Sequence, residues 1–492
     1  MAILRGDLVG VSDYANAAAA FQFFARDGWH WPLGANPHFG GVNIFFSDGA
    51  PWYALAAKGL HGLGLPAPSL HDIVLINFLL FALFAARLAG SISETPLTRW
   101  LITGLLVFCL IMPVRLIGPQ HVALSSHWVV LWAMTAVPLK SKRDGASAAR
   151  RWEFLPALAF ATWSHGYLGA MAASIILVFL LAQRRYAATL LVFAFPALLL
   201  WIIGAFAGFD TRLGSAKPFS LDILALAQSF GWGVFPPLFP LVEAQGDSFI
   251  FLGAGAWLAL LCGSACYAAS KDYRVRVWHH LRSRRLRLLL LAGMILYLFG
   301  LVFSLRVAGS VLLSLPVPDF LEPLYGRFRA AGRFGTPLAY SLILLAGLMV
   351  GSIKRPGALA LLLATTVLAA QAADVVLAGR QGPKDAERTA IHIAREQVNA
   401  LLANGGWSGK VYRDIESETD LEKQQILDFL LTEAGAKEFR LVHSARRNPD
   451  EVAARRGKQD AGPGDLFIYP ASHPESSCRS RTRWTEFELC LL

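Results

Sequence analysis

Residues 72–90 read DIVLINFLLFALFAARLAG. A bilayer core takes roughly 20 consecutive apolar residues in helical form, and a soluble core has no use for so long an unbroken run. Nine further runs of this kind follow, over 100–117, 121–138, 153–165, 167–183, 188–207, 250–269, 287–307, 336–352 and 357–374. With 55% hydrophobic and 16% charged residues and a mean hydropathy of +0.47, the chain reads as an α-helical multispan membrane protein of about ten spans. The fourth and fifth runs are short and meet at Ser164-His165-Gly166-Tyr167, which predicts a broken hairpin.

The links between runs alternate in charge. Lys140, Lys142, Arg143, Arg150 and Arg151 mark one, and Arg184 with Arg185 a second. Lys271, Arg274, Arg276, Arg282, Arg284, Arg285 and Arg287 crowd a third, and Lys354-Arg355 a fourth. If every run crosses, all four lie on one side, which the positive-inside bias makes cytoplasmic. The formal charge of +11 is therefore topological, and nucleic acid is not expected as a partner. Residues 1–70, the loops 208–249 and 308–335, and the tail then face outward. An outward N-terminal segment of that length predicts a further span upstream of Met1, which would make eleven.

Past residue 375 the composition changes. Lys384–Asn404 and Asp420–Ala434 read as helices, and Lys410–Tyr412, Phe439–Val442, Leu466–Tyr469 and Glu486–Leu491 as short strands. This predicts a small α/β domain over 376–492 beside a membrane domain over 1–375. The polar stretch 446–464 reads as a loop. Cys109, Cys262 and Cys266 fall in apolar runs, whereas Cys478 and Cys490 sit in the tail and could pair in an oxidising compartment.

Residues suited to chemistry begin ahead of residue 72. Two short amphipathic runs open with the related tetrads Ser12-Asp13-Tyr14-Ala15 and Ser47-Asp48-Gly49-Ala50. Phe21, Phe23 and Phe24, then Trp52, Tyr53 and Leu55, supply apolar faces suited to a membrane surface. Asp13 and Asp48 fit as helix-opening residues, or as a general base or metal ligand at the outer mouth of the bundle. Near the other end of the membrane domain, Tyr325-Gly326-Arg327-Phe328-Arg329-Ala330-Ala331-Gly332-Arg333-Phe334 puts three arginines on the outer side, against the charge bias. Guanidinium forks there suit a phosphate headgroup, or snorkel at the interface. Arg115 is a weaker case of the same kind, and Lys58 fits a snorkelling or phosphate-binding lysine. His121 and His127 flank Leu124-Ser125-Ser126, and His165 with Tyr167 marks the hairpin tip; each fits a structural or a substrate-binding role. No zinc-type His/Cys spacing, P-loop, nucleophile elbow or dinucleotide fingerprint occurs.

The runs FFARDGWHWPLGANPHFGG, FSDGAPWYALAAK, HVALSSHW and FRAAGRFGTPLAY, with the order of surface loop, bundle and α/β tail, resemble the GT-C class of membrane glycosyltransferases. More closely they are similar to a family of bacterial integral membrane proteins placed in that class, over nearly all of residues 10–375. The resemblance implies transfer of a sugar from a polyprenyl-phosphate donor to a glycan, lipid or protein acceptor at the outer face of the bacterial cytoplasmic membrane. It puts Asp13 at the usual catalytic position with Asp48 as a second acid, and Arg333 and Arg329 at the donor phosphate. A Mg or Mn ion would fall to Asp13 or Asp48. Two rival readings are a lipid-linked-glycan transporter or flippase, which calls for a two-fold repeat, and a membrane O-acyltransferase using His165 as base.

Overall fold

The computed structural model describes residues 13–117, 121–139, 152–206, 216–242, 245–353, 357–381, 385–403, 406–413, 421–440, 461, 463–470, 478, 480–484 and 487–492. The basic links around 140–151 and Lys354-Arg355, and most of the polar stretch 446–464, lie outside these residues.

The chain is mostly helical. Two helices precede the apolar runs, α1 (Asp13–Arg26) and α2 (Pro51–Gly62). The apolar helices follow: α3 (Asp72–Ile92), α4 (Pro96–Val107), α5 (Ile111–Ile117), α6 (Trp128–Ala136), α7 (Phe154–Ser164), α8 (Gly166–Ala182), α9 (Tyr186–Ile203) and α10 (Ala254–Ala269). A basic helix α11 (Lys271–Leu281) leads into α12 (Arg284–Gly300). The hairpin β1 (Ser304–Val307) and β2 (Ser310–Ser314), the short α13 (Glu322–Arg327), α14 (Thr336–Gly351) and α15 (Gly357–Ala378) complete the bundle. Every apolar run forms helix. Asp72–Ile92, Pro96–Ile117, Tyr186–Ile203, Ala331–Gly351 and Ala360–Ala378 are long and apolar enough to cross a membrane, while Phe154–Ser164, Gly166–Ala182 and Ala254–Ala269 are shorter. The protein is thus built to associate with a membrane.

The bundle core is aromatic and closely packed. Phe84 stacks on Trp128 and Trp132 with ring centroids 5.7 and 5.0 Å apart. One polar side chain, Asn77 of α3, is fully buried there. It donates to Ser125 Oγ at 2.8 Å and accepts from Trp128 Nε1 at 2.9 Å and Ser126 Oγ at 3.1 Å. A buried amide stays in an apolar core only when its hydrogen bonds are met. Here they fix the segment between His121 and Trp128 against α3.

The two ends of the bundle differ. Arg276 donates to Ser352 O at 2.9 Å, Arg284 to Ala182 O at 2.5 Å, and Arg285 to Met134 O at 2.8 Å. The basic residues of α11 and α12 therefore cap the C-terminal ends of α6, α8 and α14, where carbonyls lack helical partners. Tyr167 and Arg333 stand at the opposite ends of α8 and α14. At 1.5 Å per residue α8 alone separates the two ends by about 25 Å.

The tail folds as α16 (Asp385–Ala403), β3 (Lys410–Arg413), α17 (Leu421–Glu433), β4 (Glu438–Phe439), β5 (Leu466–Pro470), β6 (Ser480–Trp484) and β7 (Phe487–Leu491). The sheet order is β4-β3-β5-β7-β6, with β3 parallel to β4 and β5, and β7 antiparallel to β5 and β6. Both expected helices are present, with one strand more than expected, β6. Cys478 and Cys490 form a disulfide.

The tail corrects the reading of α1. That helix does not lie on lipid. Phe21, Phe23 and Phe24 are buried against α2, the loop after α1 and the tail strand β4. Phe21 stacks on Tyr53 at 5.6 Å, and Tyr14 meets Phe429 of α17 at 6.5 Å. Phe39, in the loop after α1, pairs in parallel with Phe439 of the edge strand β4. Gly40 N donates to Phe439 O at 2.9 Å, and Phe439 N to His38 O at 2.8 Å. An exposed sheet edge is satisfied in this way by borrowed backbone. The apolar residues of α1 serve a protein interface.

Candidate functional site

A cavity of about 590 Å³ opens at the bundle end away from the basic residues, and Asp13, Asp48, His121, His165, Tyr167, Asp247, Arg329 and Arg333 all line it. These side chains come from α1, the loop before α2, the segment before α6, the α7–α8 break, the loop before α10 and the turn before α14. Eight chemistry-bearing groups from six elements converge on one space.

Each is held by local structure. Asp13 is the first residue of α1, where a carboxylate suits the helix dipole. Asp48 does not open α2. The cap position belongs to Ala50, with no side-chain hydrogen bond, and Asp48 sits in the left-handed region at φ 53°. A non-glycine residue in that region is uncommon and is held there by its surroundings. Neither carboxylate oxygen of Asp48 has a hydrogen-bond partner among the described residues. It faces His121 Nδ1 and His165 Nε2, both at 3.8 Å. His165 breaks the chain between α7 and α8 with extended backbone, and its Nδ1 accepts the Tyr167 N–H at 3.2 Å as the cap of α8. Gly169 permits the close pairing of these helices, since a Cβ there would meet Thr162 Cα at 3.0 Å.

His121 is the hub of the acidic side. Its Nδ1 lies 3.3 Å from Asp13 Oδ2, and its Nε2 lies 3.3 Å from the Arg333 guanidinium. Although 40% of the Asp13 side chain is exposed to the cavity, the cavity is set within the protein. Burial therefore raises the Asp13 carboxyl above its ordinary 3.8, against the pull of His121 and with the push of Asp48.

The basic side is organised by Asp247, which sequence reasoning missed. Arg333 donates to its carboxylate. Arg115 donates to the Asp247 backbone carbonyl at 2.6 Å and lies 3.6 Å from the carboxylate. Burial alone would raise the Asp247 carboxyl, but Arg333 and Arg115 outweigh it and hold the group at about 2. Arg115 stands behind Asp247, buried at 1% exposure, and reaches the cavity only through it. The Arg333 guanidinium lies 4.9 Å from the centre of the Tyr167 ring, and the Tyr167 hydroxyl accepts the Ala330 N–H at 2.7 Å. Arg329 lies over Phe219 at 5.0 Å.

Lys58 does not join this group. Its ammonium lies 4.0 Å from the centre of the Phe24 ring, in the packing beneath α1, at 2% exposure. The phosphate-binding expectation for Lys58 is corrected accordingly, because a lysine buried under an aromatic ring cannot extend to the cavity. Nor do three His, Cys, Asp or Glu side chains among the described residues form a group that could hold a metal ion, and no metal-dependent step is derived.

Much of the rest of the cavity is apolar. Ala170 and Ala173 of α8 and Val192, Phe193, Pro196 and Ala197 of α9 form one wall. Phe193 and Phe206 on its rim are 62% and 54% exposed. A charged floor and an apolar wall open to the outside of the bundle accommodate a ligand with one anionic, hydroxylated end and one hydrocarbon end.

The sequence profile of one family, described as a domain of unknown function (DUF6311), matches residues 3–376, and the chain belongs to that family. No curated protein matches the chain.

Proposed function

Taking a DUF6311 chain with this cavity as the premise, we propose that the protein is a membrane glycosyltransferase of GT-C type. It moves a sugar from a polyprenyl-phosphate donor to a hydroxylated acceptor at the outer face of the bacterial cytoplasmic membrane. The observation that carries this reading is the meeting of Asp13 and Asp48 with Arg329 and Arg333 in one cavity with an apolar wall. The placement of the basic ends of α11 and α12 at the opposite end of the bundle supports an outward cavity, as does the tail disulfide. The ten apolar runs serve as spans, with the tail on the same side as the cavity.

In this reading the prenyl chain lies along α8 and α9, and Arg333 and Arg329 neutralise its phosphate. The acceptor oxygen attacks the anomeric carbon. The bond from that carbon to the phosphate oxygen breaks, and the acceptor proton passes to the Asp13 carboxylate. A base whose affinity for a proton is raised by burial suits that transfer. Negative charge grows on the leaving phosphate, and a guanidinium already fixed by Asp247 and Tyr167 meets it without reorganisation. Asp48, whose oxygens have no hydrogen-bond partner among the described residues, lines the same space and assists in orienting the acceptor or donor hydroxyls.

The test is transfer of label from a polyprenyl-phosphate sugar in membranes carrying the wild-type chain, Asp13→Asn or Arg333→Gln. Loss of transfer in both variants is expected. Undiminished transfer in Asp13→Asn would remove that residue from the mechanism, and absence of transfer by the wild type across donors would overturn the reading. The pairing of His165 with Asp48 favours one second reading, acyl transfer with His165 as base. An acyl donor consumed by the wild type and not by His165→Ala would favour it.

A further inference from the structure

The proposed chemistry leaves two amide side chains of the cavity unused. Asn16 stands one helical turn after Asp13 on α1, on the same face, and lines the cavity. Its Oδ1 is buried and has no hydrogen-bond partner among the described residues. Gln425 also lines the cavity, yet it belongs to α17 of the tail. It is 4% exposed, and its Oε1 likewise has no partner among the described residues. One turn further along α17, Phe429 packs against Tyr14 of α1, so the face of α17 carrying Gln425 is the face applied to α1.

Leaving a buried amide oxygen unpaired is costly, and here the two residues that carry such oxygens line one space beside two carboxylates. A hydrocarbon chain cannot supply the missing donors. A phosphate offers further acceptors. A ring bearing several hydroxyl groups supplies O–H donors to the amide oxygens and accepts from the amide N–H groups.

We propose that Asn16 and Gln425 form a subsite that reads the ring hydroxyls of the sugar handled in this cavity, so that the tail domain takes part in substrate choice. The proposal rests on the sugar-transfer reading and adds to it a residue outside the segment that defines the family. The tail is then a component of the site and more than a support for α1.

The experiment uses the full-length chain purified in detergent, titrated calorimetrically with two unrelated probes. One is a panel of methyl glycosides, pyranosides and furanosides, which carry neither lipid nor phosphate. The other is citronellyl phosphate, which carries no sugar. At least one glycoside is expected to bind the wild type. Gln425→Met and Asn16→Leu are expected to weaken it about ten-fold, the loss of roughly one hydrogen bond. In Gln425→Met the citronellyl phosphate affinity should stay unchanged and the melting temperature should not fall. Failure of every glycoside to bind the wild type, or an unchanged glycoside affinity in Gln425→Met, would overturn the proposal. Equal weakening of both probes, or a lowered melting temperature, would make Gln425 a packing residue and overturn it too. Failure of citronellyl phosphate to bind, or binding insensitive to Arg333→Gln, would instead count against the lipid-phosphate reading and leave the glycoside result to decide the subsite.

Discussion

Arg333 and Asp247 are joined as an ion pair that holds a buried guanidinium at the edge of an open cavity. The pair is not isolated, because Arg115 shares the same acid from behind at 3.6 Å. Two cations thus depend on one anion.

Removing the anion should therefore cost more than removing a surface charge. Asp247→Asn leaves two buried guanidiniums facing each other, and breaking a buried pair in this way costs about 3–5 kcal/mol. The expected outcome is a marked fall in the melting temperature of the purified chain. The same carboxyl gives a pH signature. Its folded value, about 2, lies below the ordinary 3.8, so its stabilisation is present above 3.8 and is lost as pH falls from there towards 2. A melting series at acidic pH should show that loss in the wild type and a reduced one in Asp247→Asn.

Asp13 shifts in the other direction. Burial favours its protonated form, so the stabilisation from protonation disappears as pH rises through its folded value, which lies above 3.8. If the carboxylate is the base, transfer should rise with pH along a limb placed above 3.8. Asp13→Asn should lower transfer by about 10²–10⁴-fold and abolish that limb. A pH–rate profile of the two proteins checks both.

Gly332 is expected to be intolerant of the smallest side chain. A Cβ there would meet the Phe219 carbonyl oxygen at 2.9 Å and collide with Ser248, the neighbour of Asp247. Gly332→Ala should destabilise by about 1–3 kcal/mol and weaken transfer by shifting Arg333 against Asp247. An unchanged rate of transfer would show that the turn has room to adjust.

The tail disulfide closes a 12-residue separation. Cross-linking loops of this order stabilises by about 3 kcal/mol in the chain-entropy picture. Cys490→Ser should lower the unfolding temperature of the tail, followed by proteolysis of residues 376–492, and reducing agent should do the same to the wild type.

The helices were legible because an apolar run of span length has few alternative fates. So were most of the tail's elements, whose periodicities are ordinary. What surrounds α1 was not legible, since Phe21, Phe23 and Phe24 would look the same facing lipid or facing α2 and β4. Asp247 was hidden for a different reason. Its meaning comes from Arg333 and Arg115, 86 and 132 positions away in the chain, and nothing in Gln245-Gly246-Asp247-Ser248 announces them. The strand β6, Ser-Arg-Thr-Arg-Trp, escaped because an edge strand needs little apolar character when backbone pairing to β7 holds it. Asp48 and Asp13 looked alike in their tetrads, yet only Asp13 stands at a helix start.

The bridge between Phe39 and Phe439 ties the loop after α1 to a strand 400 positions later in the polypeptide. During synthesis the part of α1 that meets the tail, Tyr14 and Phe23, must wait for its partners Phe429 and Phe439 until some four hundred later residues have left the ribosome. A chain released early would carry every apolar run and still present a greasy, unfinished front end, the kind of defect that quality-control proteases recognise.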